Sequence, residues 1–102
     1  MSTSQAETIG ASALSVRVTD LDLSVDLSDG RTITVPVAWF PRIAMGTQKE
    51  RENWLLIGKG HGIHWPDLDE DVNVESLLTG QRSRESDGSL KRWIEGRSHF
   101  RN

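Results

Sequence analysis

The chain of 102 residues has no cysteine, which excludes a disulfide, a thiolate zinc site and a thiol nucleophile. It also lacks a long hydrophobic run. Its longest stretch free of charged or polar side chains, Val35–Pro41, is far too short to cross a bilayer. Residues 1–10 hold no basic residue and no apolar segment, so no signal peptide is expected. There is no internal repeat and no low-complexity tract. Nor is there an excess of basic charge: 12 Lys and Arg stand against 15 Asp and Glu, for a net −3. A generic nucleic-acid coat needs the opposite balance. The hydrophobic share of 35%, even with glycine added, lies just under the usual globular level and predicts one core with polar ends. These absences point to a single soluble, cytoplasmic domain with no membrane partner.

What is present begins after a small, polar leader, residues 1–12, read as disordered. Leu14, Val16 and Val18 alternate with Ser15 and Arg17, as a half-buried strand does. Leu21, Leu23, Val25 and Leu27 resume the alternation, and Ser28-Asp29-Gly30 supplies a hairpin turn. Ile33, Val35 and Val37 return on one face, so Leu23, Val25, Ile33 and Val35 are expected in the core. Pro41 suits the first turn of a short helix and Gly46 its stop. Thr47 and Glu50 have capping-box spacing, and Trp54–Ile57 reads as a buried strand. Ile63-His64-Trp65 is its return strand, ended by Pro66. Asn73 caps a last helix, Val74–Thr79, closed by Gly80. The expected fold is α+β, residues 13–80, with one antiparallel sheet of four to five strands and two or three short helices on one face. Residues 81–102 form a basic tail, six Lys and Arg against three acids. Leu90, Trp93 and Ile94 predict one short amphipathic helix there, Ser89–Glu95, ended by Gly96.

The candidate chemistry is concentrated between residues 58 and 71. His61, His64, Asp67, Asp69, Glu70 and Asp71 are the densest set of metal-ligating types. His61 and His64, three apart, point to opposite faces of a strand. A calcium loop starting at Asp67 places Val72 where glycine is required and Leu78 where the bidentate glutamate belongs. Capping or solvated carboxylates are the plainer reading. Gly58-Lys59-Gly60-His61-Gly62 has the glycines of a phosphate cradle, but it joins strand to strand and lacks the Lys-Ser/Thr ending. A hairpin turn explains it better. His64 with Asp67 or Asp69 could move protons, yet no nucleophile or arginine clamp accompanies them. No catalytic residue, cofactor or metal is therefore assigned. Four tryptophans remain. Trp54 reads as core. Trp39 and Trp65 stand beside prolines at element ends, where an indole can pack with its N–H at the rim or anchor an interface. Core is the plainer reading of each, with a shared exposed edge open for Trp39 with Phe40. Trp93 either docks on the domain or meets a partner.

The order of the hairpin, Trp39-Phe40-Pro41-Arg42-Ile43, Glu50-Arg51-Glu52-Asn53-Trp54, the run Gly60–Asp71 and Leu77-Leu78 resembles a small bacterial and mobile-element family catalogued as domain of unknown function 2442. The resemblance covers about Leu14–Gly80 and is most specific from Gly62 to Asp71. It implies a compact α+β domain. Some members are fused to helix-turn-helix modules, and many are encoded beside a second small protein in what look like toxin–antitoxin pairs. An interaction role follows from it, not a reaction. The leading expectation is thus a non-enzymatic, antitoxin-like or regulatory protein–protein interaction module. Its acidic domain binds a basic, toxin-like small protein through Trp39, Trp65, Asp67, Glu70 and Trp93, with Asp67 and Glu70 pointing outward and Asp69 or Asp71 capping the last helix. The alternatives are a nucleic-acid-associated regulator using the tail, whose Trp93 and Phe100 could stack on bases, and a metal-dependent enzyme at His61, His64 and Asp67. A homo-oligomer stays open.

Overall fold

The computed structural model describes residues 11–101, with side chains described as far as Arg97. The expected leader falls largely outside these residues, as does the Phe100 side chain.

The first three strands form an antiparallel sheet in the order of the chain: β1, Ala13–Val18; β2, Asp22–Leu27; β3, Thr32–Pro36. Their alternation places Val16, Val18, Leu23, Val25, Leu27 and Val35 in the core, with Ile33 half-buried at its margin. Two leucines leave the pattern. Ala13 pairs with Leu27 but Ser15 with Asp26, and this bulge turns Leu14 out to solvent. Leu21 lies in the β1–β2 turn, where the Thr19 hydroxyl accepts from the Leu21 and Asp22 amides at 3.1 and 2.9 Å. The polar face is stitched by Asp26, which accepts from Ser15 at 2.6 Å and Thr32 at 2.8 Å and pairs with Arg17. The β2–β3 turn needs Gly30, whose φ of +94° is closed to most side chains.

A helical stretch then separates the two sheets. A 3-10 turn, Val37–Trp39, leads into α1, Pro41–Ala44, with Pro41 in its first turn. Next comes α2, Gln48–Glu52, opened by a complete capping box between Thr47 and Glu50. The second sheet has the order β4, Leu55–Ile57; β5, Gly62–Trp65; β6, Glu70–Asn73, all antiparallel. The expected single sheet of four to five strands is therefore corrected to two sheets of three. Prolines 36 and 41 and the capped helix end any continuation from β3, so β4 starts afresh. The sixth strand, β6, lies where the sequence predicts only capping or solvated carboxylates. Only Val72 of its four residues is apolar and buried, but its backbone completes the ladder with β5.

Asn73 caps α3, Val74–Leu78, accepting from the Glu75 and Ser76 amides at 2.8 and 3.3 Å. Neither Asp69 nor Asp71 serves as that cap. The tail ends in α4, Asp87–Arg101, longer than the expected Ser89–Glu95 and running through Gly96. The segment before it is tied down by Ser83 N–H donating to the Trp39 carbonyl at 3.0 Å. Both sheets and helices share one core, in which Trp65, Ile63, Ile43 and Leu68 are fully enclosed. No helix among the described residues is long and apolar enough to cross a membrane.

Candidate interaction surface

The structure places the five expected contact residues in different settings. Trp65 is removed from the surface altogether: it is 0% exposed and its indole N–H donates to the Arg51 carbonyl at 2.9 Å. Pro66 ends the strand, but the indole lies on the inner face beside Ile63, not at the rim. Trp39 is half-buried and lies under the Arg82 guanidinium, 4.8 Å from the ring centre. Trp93 packs on the core between Arg42 and Arg97, at 5.2 and 4.7 Å. Such stacks satisfy both partners, so neither ring is a bare anchor. Arg97 also reaches the α2 capping box, 2.7 Å from Glu50, and the Asp67 carbonyl at 3.2 Å. Arg42 holds Glu85 at 2.5–2.9 Å. These contacts dock α4 and commit Arg82 and Arg97, two of the basic groups on which a nucleic-acid arm would depend.

Asp67 points outward as expected and accepts from the Asn53 amide at 2.9 Å. Glu70 does not point outward. Its ladder partner is Trp65, so the register turns it to the core side of β6, half-buried. It lines a cleft of about 260 Å³ with Phe40, Val72, Ser76, Arg82 and Arg84. Burial pushes its carboxyl up to about 7; Arg42 opposes this, while Glu85, Asp71 and Asp69 add to it. The sign for stability follows from linkage. A raised acid favours the protonated fold, so stability falls as the pH rises from the ordinary glutamate value to about 7. Glu70→Gln is expected to gain on the native chain across that window. Urea midpoints at pH 5 and pH 8 check it, and an equal gap at both would contradict it.

The histidines do not converge. His61 is exposed beyond the 3-10 turn Gly58–Gly60, whereas His64 on the outer face pairs with Asp71 across the ladder. Among the described residues, no three His, Asp or Glu side chains are grouped to hold a metal ion. The glycine turn has a packing reason: Gly60 has φ +87°, and a Cβ there would lie 2.9 Å from Ser12 and 3.0 Å from the Ala13 carbonyl.

The pattern of Trp54–Ile57 predicts a buried strand, but only Trp54 packs partly on the core. β4 is an edge strand on which Leu55, Leu56 and Ile57 are 53%, 39% and 41% exposed. Leu55 and Ile57 pair with His64 and Gly62 on the outer face, while Leu56 pairs with Ile63 on the inner one. No backbone hydrogen bond beyond the β4–β5 ladder involves these three residues among the described ones. The result, among the described residues, is an apolar strand with one side unpaired.

Residues 13–83 match the family described as "Protein of unknown function (DUF2442)". The chain belongs to this family. Two solved structures share the DUF2442 fold seen here. A protein of unknown function from Rhodospirillum rubrum ATCC 11170 superposes with a TM-score of 0.64 and 23% identity, over 74% of this chain and 93% of that one. The solution structure of an uncharacterized protein from Chromobacterium violaceum gives 0.65 and 17%, over 89% of this chain and 84% of that one. At such identities the likeness concerns the fold. No curated protein matches the chain.

Proposed function

We propose that this DUF2442 chain is a non-enzymatic protein-interaction module that docks another polypeptide along the free side of β4. One observation carries the reading: three exposed aliphatic side chains lie on both faces of a strand whose outer side is unpaired among the described residues. Folded proteins usually blunt such an edge with charge, proline or a covering segment, and Leu55–Ile57 has no charge or proline of its own. An added strand brings main-chain hydrogen bonds, and its own side chains pack beside these three on each face. The exposed carboxylates of Asp67, Asp69 and Asp71 favour a basic protein as a further partner, speeding its encounter more than fixing its affinity. An antitoxin-like or regulatory pairing belongs within this reading.

Site-specific photo-cross-linking in the host cell tests it. A photoreactive residue at Leu56 is expected to give a covalent adduct with a polypeptide, while one at exposed Glu75 gives none. No adduct from position 56, or equal labelling at both positions, contradicts the proposal.

A further inference from the structure

We infer that the strand received by β4 is β4 of a second copy, paired antiparallel about a twofold axis; this rests on the docking role assigned to that edge. A twofold interface must be self-complementary. β4 is so in its pattern. With Leu56 opposite the partner's Leu56, Leu55 faces the partner's Ile57 on the outer sheet face, and the two Leu56 side chains meet on the inner one. Each exposed aliphatic group of the strand then has an apolar neighbour across the seam on its own face, and the two second sheets, one from each copy, join into one.

The flanks agree. Glu52 precedes β4 and Lys59 follows it, both exposed. Lys59 makes no ion pair with the described residues. Antiparallel pairing of Leu55–Ile57 brings each copy's Lys59, just past one end of the strand, toward the end where the partner's Glu52 and the Asn53–Asp67 pair lie, the latter joined at 2.9 Å. Each lysine thus meets carboxylates, at both ends of the interface. Parallel pairing would instead set Lys59 against Lys59. The acidic balance of the domain does not oppose the contact, because Asp71 lies two strands away on β6, about 10 Å at the usual strand spacing. Salt screens exposed charges over about 8 Å under physiological conditions.

Sedimentation velocity on the full chain, from about 1 to 500 µM, is the test. A monomer–dimer equilibrium is expected. Leu56→Lys should give monomer at every concentration with a native circular-dichroism spectrum, and should lose the concentration dependence of the melting temperature that a dimerising native chain shows. Glu52→Lys and Lys59→Glu should each weaken the dimer about tenfold, and the double swap should restore it. A native chain that stays monomeric, a dimer that Leu56→Lys leaves intact, or a double swap without recovery would overturn the inference. A monomer that still cross-links through position 56 to a different protein overturns the second copy and leaves the docking edge standing. A monomer that cross-links to nothing overturns both.

Discussion

Trp65→Ala is expected to remove about 3–5 kcal/mol of folding free energy, the usual cost of truncating a large enclosed aromatic. The ring is wholly buried and belongs to the cluster shared by both sheets. Its loss leaves a cavity and also strips the Arg51 carbonyl of its indole donor. A domain of this size has only about 5–15 kcal/mol in total, so the variant should be partly unfolded at ambient temperature. Trp65→Phe keeps most of the apolar volume and should cost less, chiefly through the unpaired carbonyl. Urea denaturation followed by circular dichroism measures both. A native-like midpoint for Trp65→Ala would mean that the ring is at the surface after all.

Arg51→Met should be the next most damaging change, at about 2–4 kcal/mol, because buried carbonyls lose charged donors. Arg51 is the one charged residue buried among those described. Its Nε donates to the Ile43 carbonyl at 3.0 Å and its Nη2 to the Ala44 carbonyl at 2.7 Å, closing the C-terminal end of α1. The guanidinium also pairs with Asp20 at 2.8 Å, but that carboxylate is 94% exposed. Water screens such a pair, so Asp20→Asn should cost less than about 1 kcal/mol. Equal losses in the two variants would transfer the role from the helix end to the ion pair.

The parts of the fold that sequence made legible are those with a local chemical signature. The β2–β3 hairpin was readable because Leu23, Val25 and Val35 sit at period two around Asp29-Gly30. The Thr47–Glu50 capping box and the Asn73 cap were readable because their side chains act on amides only two or three residues away. What stayed hidden depends on distant partners. Glu70-Asp71-Val72-Asn73 has a loop's composition, and only pairing with β5 makes it a strand. Gly96 looked like a stop, since glycine costs about 1 kcal/mol inside a helix. The helix continues past it into Arg97, which is anchored to Glu50 and the Asp67 carbonyl.

The candidate surface was harder to read for the same reason. Three aliphatic residues in a row look alike on a central or an edge strand, so β4 passed for core until its neighbours were known. Charge alone places Glu70 at the surface, and Pro66 leaves Trp65 open as a contact although core is the plainer reading of it; both turn inward because they are ladder partners on the inner face of the second sheet. Asp67 does face outward, held by the Asn53 amide at 2.9 Å, although neither Asp69 nor Asp71 takes the capping role that was to leave it free. Trp93 docks because Arg42 and Arg97, 51 and 4 positions away, both stack on its ring; only the second lies within the tail's own helix.

Amide hydrogen exchange at β4, followed by NMR as the protein concentration is raised, tests the central claim most directly. The unpaired side of β4 exposes backbone amides that a docked strand would cover. The account predicts that outward amides within Leu55–Ile57 become protected as concentration increases, while those of the exposed β2–β3 turn do not change. Exchange at β4 that is fast and independent of concentration, in a chain that also gives no cross-link through position 56, would contradict it.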